Sequence, residues 1–222
     1  LCWAFAVLNV LETSLLNRSG LSVELSRGFL QSAAIRQRVE DRQSGHLNQI
    51  NDRGTFLFAL ELMDKYGIVP RAEYPTIYSG SFESLHEVSS QTPENVVGST
   101  LESLLSPFPK KIKHLDQTYS PLEFAKMVSG QRKWVALSVA NDENRGWGFD
   151  DDPDDRRTQQ VFYTSKKRIL EKIKANLRRG IPSAYGTRWH GIMVYGADYA
   201  ESGEAIRYYV IDSLKPSSPA QT

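Results

Sequence analysis

The sequence predicts an α+β fold with two lobes, and three observations carry that expectation. Apolar residues recur at helical spacing through residues 1–80, Ser-, Pro- and Gly-rich sequence fills the middle, and short β-branched and aromatic runs occupy the C-terminal part. Helices gathered at one end and strands at the other argue for segregated α and β layers rather than alternating βαβ units. We read residues 1–80 as a helical lobe, 81–165 as an insertion-bearing connection and 166–222 as a β lobe, all within one domain spanning 1–222.

The elements follow in order. Phe5, Leu8, Leu11 and Leu15 repeat at helical spacing, widened by Ala4, Val7 and Leu16, while Asn9, Glu12 and Thr13 leave only a narrow polar side. A largely buried helix results, opened by Cys2 and stopped at Asn17-Arg18-Ser19-Gly20. Leu21 to Arg38 reads as a second helix capped by Ser22 or by Ser26, with Phe29, Leu30, Ala33 and Ile35 as its apolar residues. The polar stretch Glu40 to Asp52 reads as a connection to Arg53-Gly54. Phe56, Leu57, Ala59, Leu60, Leu62 and Met63 then form a third helix, ended by Lys65-Tyr66-Gly67 with Pro70 just beyond.

Tyr78 to Pro109 gives no decisive pattern. Ser120-Pro121-Leu122-Glu123-Phe124 begins a short helix with Pro in its first turn, and Trp134 to Ala140 reads as a strand. The acidic run Asp150 to Asp155 is broken by Pro153 and lacks the spacing that arranges ligands around calcium, so it reads as a solvated loop and no metal is expected. Lys166 to Arg179 is amphipathic, with Ile169, Ile173 and Leu177 on one face and Lys167, Glu171, Lys174 and Arg178 toward water. Gly180-Ile181-Pro182 ends it. Strands are expected at Ser183–Tyr185, Ile192–Tyr195 and Ile206–Ile211, separated by Gly186-Thr187 and by the turn-rich Asp198 to Gly203.

Composition narrows the function classes only modestly. The 222 residues carry 27 basic and 26 acidic side chains, so no global field draws the protein to nucleic acid or to a membrane surface. No apolar run approaches the roughly 20 residues that span a bilayer. A single cysteine forms no internal disulfide. The chain begins without Met inside an apparent element, and residues upstream are expected.

That cysteine is the first candidate for chemistry. A thiol on the first turn of a helix lies among unsatisfied backbone N–H groups, at the positive end of the helix dipole, where thiolate is favoured. The competing reading is a small packed hydrophobe. A cysteine nucleophile also needs a base and a group that orients the base. His46, His86 and His114 lie in polar or Pro/Ser-rich surroundings and read as exposed loop residues. His190 instead opens the apolar run His190-Gly191-Ile192-Met193-Val194, and Arg207-Tyr208-Tyr209-Val210-Ile211 runs directly into Asp212, so a hairpin sets Asp212 beside His190.

Taken with these residues, the chain resembles the papain-like cysteine peptidases. Cys2-Trp3-Ala4-Phe5 resembles their nucleophile segment, Leu21-Ser22-Val23-Glu24 their Leu-Ser-Glu-Gln helix start, and His190-Gly191 with Tyr209-Val210-Ile211-Asp212-Ser213 their His-Ala and Asn-Ser-Trp strands. Arg53-Gly54-Thr55, Ala59 to Pro70 and Tyr74-Pro75 are similar to a segment common in the bleomycin hydrolase and aminopeptidase C branch. The stretch between Cys2 and His190 exceeds the roughly 130–150 residues of the papain and cathepsin pattern, as insertions of that branch imply. Tyr119 to Phe124 resembles that branch's Thr-Pro-x-Glu-Phe element.

The resemblance implies a papain-like two-lobe fold: a helical N-terminal lobe and an antiparallel, barrel-like β lobe, with the active-site cleft between them. It implies a cysteine-type peptidase working through a thioester acyl-enzyme, more aminopeptidase-like, of bleomycin hydrolase type, than endopeptidase-like, with no cofactor and a peptide or protein as its substrate. Cys2 is then the nucleophile, His190 the acid–base group and Asp212 its orienting acceptor. Gly54 lends backbone to an extended substrate, Thr55 and Phe56 lie near the side-chain pocket, Arg53 stands at the cleft rim, and Trp189 and Gly191 line the cleft. Arg53 takes the place of a glycine, Asp212 of an asparagine and Leu214 of a tryptophan, and the family's oxyanion glutamine lies ahead of Leu1. Two other readings stay open: a non-catalytic papain-like binding or assembly module, and a Cys-His-Asp acyltransferase of transglutaminase type. No nucleic-acid or membrane partner is expected, and the branch leaves room for a homo-oligomer. A cytoplasmic location fits the branch and the lack of disulfides, with a secreted or periplasmic one as the alternative; Asn17-Arg18-Ser19 is a sequon relevant only in a secretory eukaryotic setting.

Overall fold

A computed structural model describes residues 2–46, 50, 54–80, 100–101, 103–130, 136–139, 161–186 and 190–213. The fold is α+β, with five α-helices among the described residues: α1 (Cys2–Ser19), α2 (Arg27–Gln43), α3 (Phe56–Tyr66), α4 (Pro121–Ser129) and α5 (Lys166–Arg178). Strands β1 (Ile112–His114) and β2 (Gln117–Tyr119) form an antiparallel hairpin, β3 (Ala136–Val139) and β4 (Val161–Thr164) a parallel pair. Strands β5 (Ser183–Gly186), β6 (Gly191–Tyr199) and β7 (Ala205–Asp212) form an antiparallel sheet in that order. The chain divides into two compact units, one of residues 24–54 and 61–127, the other of residues 2–23, 55–60 and 128–222. The helix α1 thus groups with the distant sheet rather than with α2.

In the first unit, α2 starts at Arg27 and not at Leu21. Ser26 caps it, its hydroxyl oxygen accepting from Phe29 N–H at 2.9 Å, while Leu25 is held extended by a β-bridge to Pro70. Of the two candidate caps, Ser26 is the one used. The helix also runs on through Glu40 to Gln43, where a connection was expected; Val39 is buried there and Glu40 exposed. Lys65 on α3 ties this end down, donating to Gln37 Oε1 at 2.7 Å and to Glu40 Oε2 at 2.6 Å.

The segment 74–78 is laid along the first turns of α2. Ser26 donates its hydroxyl to the Tyr74 carbonyl, and the buried Gln31 amide pairs with Tyr78 in both directions, at 3.0 and 2.9 Å. Between these anchors Gly28 meets the backbone of Thr76. Phe29 then stacks with Phe108 at 4.4 Å and meets Tyr74 edge-on at 5.6 Å. A further cluster joins Ile35, Val39, Ile50, Leu101 and Leu105.

His114 departs from the expected exposed loop. It ends β1, is half-buried, and stands edge-on to the fully buried Phe124 of α4 at 5.3 Å. The hairpin turns at Leu115, whose φ of 54° lies in the left-handed region although its side chain is bulky and 71% exposed. His46 is exposed, as expected, while His86 lies outside the described residues.

Helix α4 opens with a capping box. Ser120 N–H and hydroxyl both donate to Glu123 Oε2, at 2.7 and 2.8 Å, and the Ser120 hydroxyl accepts from Glu123 N–H at 3.3 Å. The Ser120 backbone N–H, helped by its hydroxyl, holds the Glu123 carboxyl below its usual range. A carboxylate lowered on folding stabilises above its unfolded value and loses that contribution as pH falls through the folded one. Glu123→Gln is therefore expected to lower stability at pH 7, where the carboxylate's contribution is present, and to change it less at pH 3, where that contribution is being lost, so that the acid limb flattens; urea unfolding at the two pH values checks this.

In the second unit, α1 packs across β5 and β6. Trp3, Ala4, Ala6, Val7, Leu8, Val10, Leu11 and Leu15 are all buried, as a largely buried helix requires, but Asn9 of the expected polar side is buried with them and Leu16 of the expected apolar set is 47% exposed. Thr13 Oγ1 lies 3.7 Å from Met193 Sδ, and Asn17 donates from Nδ2 to the Gly180 carbonyl at 2.7 Å. The sequon nitrogen therefore already holds a backbone partner. Helix α5 runs beside β3, β5 and β6, with Ile173 buried and Ile169 and Leu177 half-buried, and stops where Gly180 (φ 67°) donates to the Leu177 carbonyl. The strand expected at Trp134 to Ala140 is present as β3, whereas its parallel partner β4 was not foreseen and departs from a purely antiparallel β region. The Asp150 to Asp155 run lies outside the described residues.

Candidate active site

The sheet brings His190 and Asp212 together. His190 immediately precedes β6 and Asp212 ends β7, the strands being joined by the tight turn around Ala200 to Glu204. Ile192 faces Asp212 across the ladder, so His190, two residues earlier on the same face, is the diagonal neighbour of Asp212. The imidazole closes this diagonal. His190 Nε2 lies 2.5 Å from Asp212 Oδ1, with the two side chains 18% and 21% exposed. A carboxylate only accepts, so Nε2 carries the proton and proton exchange falls to Nδ1, the nitrogen that Asp212 does not engage.

Cys2 arrives from α1. The helix begins at this residue, which sets the thiol on the turn whose N–H groups lack intrahelical acceptors. The side chain is half-buried and forms no disulfide. Its backbone lies against the start of β6: a β-carbon built on Gly191 would stand 3.3 Å from the Cys2 carbonyl oxygen. The residue after His190 and the residue bearing the thiol are thus backbone neighbours.

Thr55 and Phe56 join the same unit. Thr55 caps α3, its hydroxyl oxygen accepting from Phe58 N–H at 3.0 Å and its carbonyl from Ala59 N–H at 3.1 Å. Phe56 is half-buried, with its ring on Gly186 and Gly191, which face each other in the β5–β6 register. Gly191 is itself buried, so its place is under Phe56 rather than on an open wall. Trp3 and Phe58, one on the first turn of α1 and one on that of α3, pack with ring centroids 5.4 Å apart.

Gly54 groups with the first unit and is half-buried there. Arg53, Trp189 and Leu214 lie outside the described residues. Two contributors were not singled out from the sequence, Gly186 and Phe58. A glycine at each end of the short β5–β6 connection was the available signal, since paired glycines in a ladder mark a close approach from another element.

Among the described residues, no group of three or more His, Cys, Asp or Glu side chains is placed to hold a metal ion. No described helix is long and apolar enough to cross a membrane. What the assembled groups offer chemically is a thiol at a helix start and an imidazole oriented by a carboxylate, with the backbones of Cys2 and Gly191 in apposition. No known protein family matches the chain, and no curated protein does.

Proposed function

We propose that this chain is a cysteine-type peptidase of papain-like two-lobe fold, related to the bleomycin hydrolase and aminopeptidase C branch. The observation that carries the reading is the His190–Asp212 pair, 2.5 Å between Nε2 and Oδ1, with the residue after His190, Gly191, set where a β-carbon would stand 3.3 Å from the Cys2 carbonyl oxygen. In this mechanism His190 Nδ1 takes the thiol proton, and Cys2 Sγ bonds to the scissile carbonyl carbon. The C–N bond breaks as His190 returns the proton to the leaving amine, which leaves a thioester. Water then attacks that thioester with His190 as base, the C–S bond breaks, and the proton goes back to sulfur. Asp212 holds the imidazole in the required tautomer throughout. An aminopeptidase action is the finer form of the proposal, drawn from the branch resemblance.

Alkylation of Cys2 by iodoacetamide at pH 6 tests the reading without needing a substrate. The wild-type chain is expected to react about tenfold or more faster than His190→Ala, because an imidazole partner keeps sulfur as thiolate where a simple thiol is protonated. Equal rates in the two proteins, both matching N-acetylcysteine, would overturn the peptidase and acyltransferase readings alike and leave the binding module. Peptide amides with free and with blocked N-termini then separate exo- from endopeptidase action.

A further inference from the structure

We propose that Phe56 is a positioning residue for the Cys2–His190 pair, its ring acting as the spacer that fixes how closely the strand bearing His190 approaches the helix end bearing Cys2. This rests on the peptidase reading. The contact geometry supports it from three sides. A β-carbon built on Gly191 would lie 2.9 Å from Phe56 Cε1 and 3.2 Å from Cζ, and one on Gly186 would lie 3.3 Å from Cε2 and 3.5 Å from Cζ. One ring therefore spans both strands where they lack side chains. The same position at Gly191 is 3.3 Å from the Cys2 carbonyl oxygen, so the ring and the nucleophile's backbone both border the space that a side chain at Gly191, next in the chain to His190, would fill.

The spacer is itself held. Phe56 is the first residue of α3, and Thr55 fixes that helix start through the Phe58 and Ala59 N–H groups. Two residues on, Phe58 packs against Trp3, the neighbour of Cys2. The first turn of α1, the first turn of α3 and the glycine step of the sheet thus close a loop of contacts. Opposed glycines weaken a ladder and have no side chain to pack, a cost that a seated aromatic ring offsets. A displacement of about 1 Å between reacting groups can cost up to about a hundredfold in rate, so a spacer at this point acts on chemistry as well as on packing.

The experiment compares wild type, Phe56→Leu, Gly191→Ala, the double variant and His190→Ala. For each, the Cys2 alkylation rate is followed from pH 5 to pH 10, with thermal unfolding recorded alongside. Phe56→Leu is expected to lower the pH 6 rate relative to the pH 10 rate by roughly tenfold while the chain stays folded. Gly191→Ala should lower it too, by forcing its methyl into the ring, and the double variant should recover much of that loss, because leucine lacks the ring edge that the methyl meets. A merely structural phenylalanine would shift the melting temperature and leave the pH profile alone. That result, or losses that simply multiply in the double variant, overturns the proposal. If His190→Ala matches wild type across the range, the peptidase reading has failed and the spacer role with it; if His190→Ala differs and Phe56→Leu does not, only the spacer role has failed.

Discussion

Gly28→Ala is expected to unfold the first unit, at a cost of about 4 kcal/mol or more, in the range reserved for gross steric faults. A β-carbon at Gly28 would stand 1.7 Å from the Thr76 carbonyl oxygen and 2.7 Å from its carbon, far inside contact distance. The obstacle is backbone and has little room to retreat. Ser26 fixes Tyr74 on one side of Thr76, and the two-way amide pairing of Gln31 fixes Tyr78 on the other. Moving the segment away would break those bonds and leave the buried Gln31 amide without them, itself a cost of about 1–3 kcal/mol. Gly45→Ala is the comparison: its φ of 73° is left-handed, but nothing lies within 4 Å of the added carbon, so about 1–2 kcal/mol of backbone strain is the whole penalty. Urea unfolding by circular dichroism distinguishes the two. Equal midpoints for these variants would contradict the packing of residues 74–78 on α2.

The second large effect concerns rate. Under the proposed peptidase mechanism, His190→Ala is expected to lower kcat/KM on a peptide amide by about 10²–10⁴-fold, the usual contribution of a positioned acid–base group. Asp212 separates orientation from charge. Asp212→Asn keeps an oxygen that accepts from Nε2, whereas Asp212→Ala removes the diagonal partner altogether, so alanine should cost roughly ten- to a hundredfold more than asparagine. Should asparagine prove as damaging as alanine, the carboxylate's charge and not its acceptor geometry is what His190 requires. Melting temperatures near wild type in all three would assign the losses to the reaction and not to folding.

Much of the architecture was legible because local signals and tertiary packing agree. The α5 pattern of Ile169, Ile173 and Leu177 and the Gly180 stop are found within one residue of where they were expected. Ser120-Pro121 with Glu123 three residues after the serine is a helix start visible in four letters. The start of α2 was misplaced because Leu21, Val23 and Leu25 continue an apolar pattern, and the bridge from Leu25 to Pro70 that keeps them extended is a long-range contact. The β1–β2 hairpin gave no warning because its turn is Leu115-Asp116, not the Asn-Gly or Asp-Gly that a left-handed turn favours. At the site, the His190–Asp212 pairing followed from two strands joined by a short turn. The seat of Phe56 was not legible, since it depends on Gly186 opposing Gly191 in one register, and sequence alone does not fix a register.

The burial of α1 also sets an order of events during synthesis. Thr13 and Met193, in contact across α1 and β6, are 180 residues apart in the chain. At about 5–20 residues per second, the ribosome releases α1 on the order of ten seconds or more before the sheet that covers it exists. Through that interval the apolar residues that α1 buries in the folded chain have no permanent cover, and contacts of such long sequence separation close slowly even once both parts are present. Nascent chains stalled before β6 should therefore bind holdase chaperones strongly, and chains released beyond β7 should let them go.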